Sequence, residues 1–197
     1  MTHRHQDREL RPRVRPRWLK HLLALTVCAV LTHVTVMWAV PRVIMWRVMS
    51  ILPAESRTPG TVILPPLSDH HQRRVVMPSP DLLYALCVFD VSRHALRIRA
   101  HPNRNAYWSI ALYASNTDNF HVIGDRQAGG QAVDMLLIGP DGAGVGTGLL
   151  PASTHVQAPT TTGLLLMRLL RTGAESDLSD AQAARQTLRC EPVGIPG

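Results

Sequence analysis

The strongest constraint on this chain is an apolar run near its N-terminus. Residues 22–40 read LLALTVCAVLTHVTVMWAV, nineteen residues without a formally charged side chain. As a helix rising about 1.5 Å per residue, the run comes close to spanning a hydrocarbon core of roughly 30 Å. It therefore predicts a single transmembrane helix, and it determines on which side of a membrane the remaining residues would work.

Residues 1–21 form a basic arm that predicts the orientation of this helix. The arm holds six Arg and one Lys against one Asp and one Glu, so it carries +5 of the chain's net charge of +7. Positive residues flanking a span stay in the cytoplasm, which predicts an exported C-terminal part. In a bacterium this means a single-pass inner-membrane protein with a periplasmic domain. The exported part is nearly neutral, which argues against a nucleic-acid partner.

A cleavable signal peptide is an alternative interpretation of the apolar run. It is longer than the usual apolar region of about 7 to 15 residues, and it ends in Trp38-Ala39-Val40-Pro41, a poor cleavage context. We expect a retained signal anchor; a cleaved signal and a buried soluble helix are the alternatives. The arm either only sets orientation or also attracts anionic lipid, so membrane lipid is an expected partner.

The segment after the run has two interpretations. Pro41 is expected to end or kink the helix. Residues 42–52 are too short for a second span, and Trp46 with two Arg is typical of an interfacial helix. Alternatively, this segment packs on the exported domain. Residues 53–71 are Pro-rich, and within them residues 61–64 form either a short edge strand or part of an extended linker.

The exported part has the pattern of a mostly β domain. Short apolar segments rich in aromatic and β-branched residues are separated by turn-forming clusters, at residues 83–91, 95–100, 107–113, 120–124 and 132–138. This spacing predicts an antiparallel sandwich or barrel with one C-terminal helix. The expected organisation is a basic cytoplasmic arm (1–21), a transmembrane helix (22–40), an interfacial helix with a Pro-rich linker (41–72) and an exported β domain (73–197).

Two C-terminal segments complete the pattern. Residues 160–171 contain an apolar run that fits either a helix or a strand by period alone, and the preceding Thr cluster favours a strand. Ser179 and Gln182 have the spacing of a helix capping box. We therefore expect a final helix over residues 180–189, ended by Glu191-Pro192.

One polar set is the candidate site. Its members are carboxylate, amide and phenol side chains at the ends of the predicted strands: Asp81, Tyr84, Asp90, Asn116, Asp118 and Asn119. If they converge at one rim of the sheet, carboxylates of different pKa can perform acid/base chemistry. Alternatively, the Asp and Asn side chains hydrogen-bond to their own turns.

Other site chemistry has no motif in this chain. The histidines show no metal-binding spacing, and the Gly-rich residues 139–148 lack the phosphate-loop pattern, so we expect neither metal nor cofactor. Of the three cysteines, Cys87 and Cys190 form the exported pair. An oxidising compartment permits their disulfide. However, Cys87 lies in an apolar strand, where a thiol is usually buried and inert, so we expect no disulfide.

Several segments resemble a bacterial family called domain of unknown function 1254. Residues 77–84 place Pro78-Ser79-Pro80 before Asp81, two further residues and Tyr84, and residues 88–92 end that strand as Val-Phe-Asp-Val-Ser. The same order continues in Tyr107-Trp108-Ser109, in Asn116 to Gly124, and in an Arg at position 168 within the late apolar run. Together these segments span residues 75–190. The chain is similar to the short, membrane-anchored branch of the family.

The resemblance implies a mostly β fold and transfers no activity or catalytic residue. The leading hypothesis is a membrane-anchored binding or interaction module of the cell envelope, with an envelope protein or carbohydrate as its candidate partner. The alternative is an envelope hydrolase or lyase acting on carbohydrate or ester. The two hypotheses differ in whether the six polar side chains share one concave site.

Overall fold

The computed structural model describes residues 17–53, 58–67, 79–102, 106–140, 142, 154–172 and 175–193. Its elements, in chain order, are α1 (Arg17–Ile51), β1 (Val62–Ile63), β2 (Leu82–Asp90), β3 (Ala95–Ala100), β4 (Trp108–Ala114), β5 (Asn119–Gly124), α2 (Asp125–Ala128), β6 (Val133–Ile138), β7 (Thr154–Gln157), β8 (Thr162–Leu170), α3 (Glu175–Arg185) and β9 (Arg189–Val193). The predicted basic arm up to residue 16, parts of the Pro-rich stretch and most of the Gly-rich loop lie outside these residues.

Helix α1 contains the apolar run. Residues Trp18–Ile51 are long and apolar enough to cross a membrane, and none of the residues in the most apolar window is buried. Length and composition alone do not distinguish a membrane-spanning helix from a signal sequence near an N-terminus. The contacts of the chain divide into two units, one up to Val40 and one from Pro41 onward.

Pro41 does not end the helix. It lies inside α1, which continues to Ile51. A proline ring removes one backbone donor and crowds the carbonyl four residues earlier, but one such position is tolerated in an apolar helix. Packing of the following residues explains why the helix continues. Met45 is buried against Val88 and Leu164, and the side chains of Val48, Met49 and Leu52 join this cluster.

Two sheets make up the β domain, as the sequence pattern predicts. Sheet A has five strands in the order β1-β2-β8-β4-β5, and all its neighbours are antiparallel. Sheet B has four strands in the order β7-β6-β3-β9, with β6 and β7 parallel and the other pairs antiparallel. The prediction of a mostly β fold with an apolar N-terminal helix and a C-terminal helix is confirmed.

Alternation along the strands places one core between the sheets. In β2, the odd-numbered side chains from Leu83 to Phe89 are almost fully buried, and in β3 Leu96 and Ile98 are buried in the same cluster. Because successive side chains point to opposite faces, the even-numbered residues of β2 form the outer face of sheet A. On sheet B the outer face carries Arg97 and Arg99, as the alternation predicts.

The C-terminal elements differ from the prediction. The expected helix at residues 180–189 spans Glu175–Arg185 instead, and Ser179 lies within it, donating to the carbonyl of Ser176. The proposed capping box is therefore wrong. The backbone N–H of Thr172 donates to the carboxylate of Asp177 near the start of this helix. Residues 189–193 form strand β9. Pro192 is tolerated there because β9 is an edge strand, where a missing backbone N–H donor does little harm.

Candidate functional site

The six predicted site residues are divided between the two ends of sheet A. Asp81 and Tyr84 lie at the start of β2, and Asp90 is its last residue. Strand β2 has nine residues, so its ends are about 27 Å apart. Asn116, Asp118 and Asn119 lie at the turn between β4 and β5, beyond Ala114, which pairs with Gly163 near the Asp90 end. The structure does not bring all six side chains to one rim.

Three of these side chains hydrogen-bond within their own turns, and a fourth bonds to the strands on either side of its turn. The backbone N–H of Ser92 donates to Oδ1 of Asp90 at 2.9 Å. Nδ2 of Asn116 donates to Oδ2 of Asp118 at 2.5 Å, and the Asp118 N–H donates back to the amide oxygen. The amide nitrogen of Asn119, in the orientation that its neighbours favour, donates to the carbonyls of Leu112 and His121. Hydrogen bonds at or beside these turns therefore account for the four residues.

A second group of polar residues lies along the outer face of sheet A, from the start of β2 to Tyr113, which pairs with Leu164 nearer the other end of β2. The strand registers place Tyr84 opposite Arg168 on β8, and Arg168 opposite Ser109 on β4. Two tyrosines complete the group. The Tyr107 hydroxyl donates to Oγ of Ser109 at 3.0 Å, and Nη2 of Arg168 donates to Oη of Tyr113 at 2.5 Å. We call Tyr84, Tyr107, Ser109, Tyr113 and Arg168 the Arg168 cluster.

Arg168 carries a positive charge without a described counter-charge. Within the described ranges, no carboxylate lies within ion-pair distance of its guanidinium, and its shielded Nε has no hydrogen-bond partner. Buried polar groups are normally hydrogen-bonded, because an unmade bond costs about 1 to 3 kcal/mol. The cluster therefore has no described carboxylate for acid/base chemistry, and Arg171 and Arg185 share the feature of a shielded Nε without a partner.

The arginines on sheet B provide a contrast. Nε and Nη2 of Arg97 donate to the two carboxylate oxygens of Asp134 at 2.9 and 2.5 Å, and Arg99 pairs with Glu191. The hydrogen bond from Arg97 lowers the pKa of Asp134, and the same bond raises the pKa of Arg97. The charges on that face are balanced by carboxylates on adjacent strands, whereas no described carboxylate lies within ion-pair distance of Arg168.

Sequence reasoning missed the Arg168 cluster as a site. Only Tyr84 was among the six candidates, and Arg168 was singled out only through its family resemblance. A signal was present, because Arg168 is the one charged residue between Leu164 and Leu170. Tyr107 and Ser109 lie on the same strand face as Tyr113, so parity already placed them together. Their proximity to Arg168 required the pairing of β4 with β8.

Cys87 and Cys190 form a disulfide in this structure, contrary to our expectation. Cys87 lies on β2 of sheet A and Cys190 on β9 of sheet B, with Cα atoms 6.8 Å apart. The expectation was correct that Cys87 is buried, with an exposed fraction of 0%. It was wrong to treat burial as excluding a bond, because both thiols face the same core from opposite sheets. The disulfide joins the two sheets across 103 residues of sequence.

Metal-binding geometry is not found in the described part of the chain. There, no three side chains of His, Cys, Asp or Glu lie close enough to hold an ion. His121 is partly buried on β5 opposite Leu112, and this burial lowers its pKa.

Comparison with known proteins supports the fold. The model of a family described as a protein of unknown function (DUF1254) matches residues 60–192. A crystal structure of the VPA0106 protein from Vibrio parahaemolyticus is similar, with a TM-score of 0.52 and 15% identity over 60% of this chain and 29% of that chain. An uncharacterised protein from Burkholderia cenocepacia aligns with a TM-score of 0.47 and 17% identity, over 78% of this chain and 41% of that chain.

The family match alone shows kinship, and none of these comparisons transfers an activity. This chain spans less than half the length of either solved structure. A search of the curated proteins found no match. The family match covers more than half of the sequence and includes every strand of both sheets except the last residue of β9. The chain belongs to the DUF1254 family of proteins of unknown function.

Proposed function

We propose that this protein is a single-pass inner-membrane protein whose β domain is exported and acts as a binding module of the cell envelope. One observation carries the proposal. Residues directly after the apolar run are not a free linker, because Met45 and its helical neighbours Val48, Met49 and Leu52 pack on the outer face of sheet A. The segment that follows the membrane anchor is thus part of the domain, which favours a domain held at the membrane surface.

The other face of this helical segment supports a lipid contact. Trp46 is 66% exposed, and Val43, Ile44 and Ile51 are also exposed. An exposed Trp beside Arg47 suits the headgroup region, where an aromatic ring and a snorkelling cation are both favourable. The proposal therefore keeps the interfacial position predicted for residues 42–52, combined with packing of the opposite helix face on the domain.

The cysteine pair supports export. Disulfides persist in oxidising compartments and are rare in the cytosol. A pair facing each other across the core at Cys87 and Cys190 is suited to a periplasmic or other extracytoplasmic domain. The alternative of a hydrolase or lyase on carbohydrate or ester has no comparable support, because its six polar side chains are split between two ends of the sheet.

Topology and thiol chemistry test this proposal together. A reporter that is active only outside the cytoplasm is fused after the last residue, and the membrane fraction is assayed. In a Cys28→Ser background, which leaves only Cys87 and Cys190, denatured protein is alkylated with a maleimide of high mass before and after reduction. We expect an active reporter in the membrane fraction and alkylation only after reduction.

A matched control makes the orientation argument specific. Replacing Arg11, Arg13, Arg15 and Arg17 by Glu reverses the sign of the basic arm and leaves the domain sequence unchanged. This variant should lose reporter activity, since the positive-inside bias is removed. An inactive reporter and free thiols in the unchanged chain would place the domain in the cytoplasm and refute the proposal.

A further inference from the structure

A histidine lies inside the apolar run, well away from either end of the span. The nearest charged residues on the two sides are Lys20 and Arg42, and the helix between them is about 33 Å long. His33 precedes Arg42 by nine residues, so its Cα lies about 13 Å from the level of that charge when the run crosses a membrane. An imidazole is shorter than the side chains of Lys and Arg, which snorkel to the headgroups, and it does not reach across this distance.

Threonines of the same run show how this helix satisfies its other polar groups. Thr26 donates to the carbonyl of Leu22 at 2.9 Å, and Thr35 donates to the carbonyl of Leu31 at 2.8 Å. The imidazole of His33 is exposed, and it makes no hydrogen bond with its own helix or with any other residue that the structure describes. Lipid tails supply neither donors nor acceptors, so an unsatisfied polar group among them is unfavourable. A hydrogen-bonding partner inside the bilayer is therefore favoured.

The side chains around His33 form a helix face that a second helix can approach. Ala29 and Val36 lie about one turn before and after His33 on the same face, and Thr26 and Val40 continue the row. This alternating spacing of three and four residues is the heptad pattern of packed parallel helices. Ala29 is the smallest residue of the row, and small residues allow helix backbones to approach closely in membranes.

A second copy of the chain matches His33 in both depth and chemistry. Two copies oriented by the same basic arm insert in the same direction, so their His33 side chains lie at the same depth in parallel helices. A neutral imidazole has one N–H donor and one acceptor nitrogen, so the N–H of one ring can donate to the nitrogen of the other. A different membrane protein would need a polar group at this particular depth, whereas a second copy supplies it by symmetry.

We propose that two copies of the chain pair in parallel through α1, with their His33 rings hydrogen-bonded to each other inside the bilayer. The inference rests on the membrane anchor of the proposed function. It extends that function, because paired anchors hold two binding domains on one side of the membrane, and linked domains bind a repetitive partner with higher avidity. The pairing does not depend on which side holds the domains, since both copies insert alike.

Sedimentation equilibrium of the full chain in density-matched detergent tests the pairing. We expect a monomer–dimer equilibrium for the unchanged chain. In His33→Leu the dissociation constant should rise about five- to thirtyfold, as loss of a hydrogen bond between membrane helices predicts. His33→Asn keeps a donor and an acceptor and should recover most of the association. Thr35→Val is the matched control, because its hydroxyl already bonds to its own helix, and it should associate like the unchanged chain.

Cysteine crosslinking in isolated membranes locates the helix face. The unchanged chain has one cysteine in this helix, Cys28, which lies about 140° around the helix from His33. Combining Cys28→Ser with Ala29→Cys moves the thiol to the face of His33. Under mild oxidation, we expect the double variant to form a disulfide-linked dimer and the unchanged chain to form little. Cys28→Ser alone, which leaves only Cys87 and Cys190, measures any crosslinking through the β domain.

Each contrary outcome has a definite meaning. A monomer at all concentrations, or equal association of His33→Leu and the unchanged chain, overturns the proposal. Equal crosslinking of the unchanged chain and the double variant overturns this helix face, and a crosslink only to another protein overturns the second copy as partner. Intact mass separates the two proposals. A chain cleaved after the run has lost His33, which overturns both, whereas a full-length monomer with an active topology reporter overturns only the pairing.

Discussion

Gly163→Ala should destabilise the β domain more than any other single methyl addition at a described glycine. Gly163 lies on β8, between Phe89 of β2 and Ala114 of β4. A Cβ at this position would fall 2.2 Å from the Tyr113 carbonyl oxygen and 2.3 Å from Cζ of Phe89. The ring of Phe89 is fully buried and meets Phe120 edge to face, with centroids 6.3 Å apart. Neither neighbour can yield without moving the sheet or the core.

The expected magnitude follows from the cost of overpacking. An added methylene in a well-packed core costs about 1 to 3 kcal/mol, and contact with backbone favours the upper end, so we expect about 3 kcal/mol. For a domain of this size, each kcal/mol lowers the melting temperature by roughly 2 to 4 °C. Thermal unfolding of the full chain in detergent, followed by circular dichroism of the β domain, should therefore show a decrease of roughly 6 to 12 °C.

Gly124→Ala is the control for this experiment. Its Cβ would lie 3.3 Å from the Trp108 carbonyl oxygen, which a small adjustment relieves, so the melting temperature should fall much less. Phe89→Leu in the Gly163→Ala background should recover part of the loss, because it removes the ring contact but not the carbonyl contact. A melting temperature of Gly163→Ala within about 2 °C of the unchanged chain would refute the close packing of β8.

Three further predictions concern other parts of the domain. The Cys87→Ala, Cys190→Ala double variant should lose about 4 to 5 kcal/mol, since the bond closes a loop of about 100 residues, measured by denaturant unfolding without reductant. Met45→Ala should lose about 2 to 3 kcal/mol and speed amide exchange in β2 and β8, because it opens a cavity under the helix. His121, whose pKa is lowered by burial, should make stability fall as pH drops below about 6.5, and His121→Gln should flatten this decline.

The sign of the His121 effect follows from proton binding. Above the ordinary histidine pKa the imidazole is neutral in both states. Below it, the unfolded chain takes up a proton that the folded chain resists, so the unfolded state is stabilised relative to the folded state and the free energy of unfolding decreases. The exposed His155 provides the control substitution, and Ile44→Ala on the exposed side of α1 does so for Met45. Unchanged stability on mild acidification, or equal effects of Met45→Ala and Ile44→Ala, would contradict these arguments. For the cysteines, the contrary result is an unfolding midpoint that reductant does not change.

The polar candidates show where sequence reasoning reached its limit. Asp90, Asn116 and Asp118 were chosen as residues at strand ends, and local preference also predicted their turns. Distinguishing a shared rim from separate turns required the strand order. Strand β2 has nine residues, so residues at its two ends are about 27 Å apart, and β8 pairs between β2 and β4. The same insertion of β8 creates the Arg168 cluster, whose members lie far apart in sequence.

Local pattern by itself determined the apolar helix, the orientation bias and most of the strands, since these depend on hydrophobicity, charge and side-chain period within short windows. Tertiary structure decided what depends on contacts between distant segments. It carried α1 past Pro41 by packing Met45 on sheet A, and it placed Cys87 opposite Cys190. It also left Arg168 without a described acid partner while Arg97 found Asp134 on the neighbouring strand. The physical reason is that strand register sets which side chains meet, and register is a property of the paired sheet.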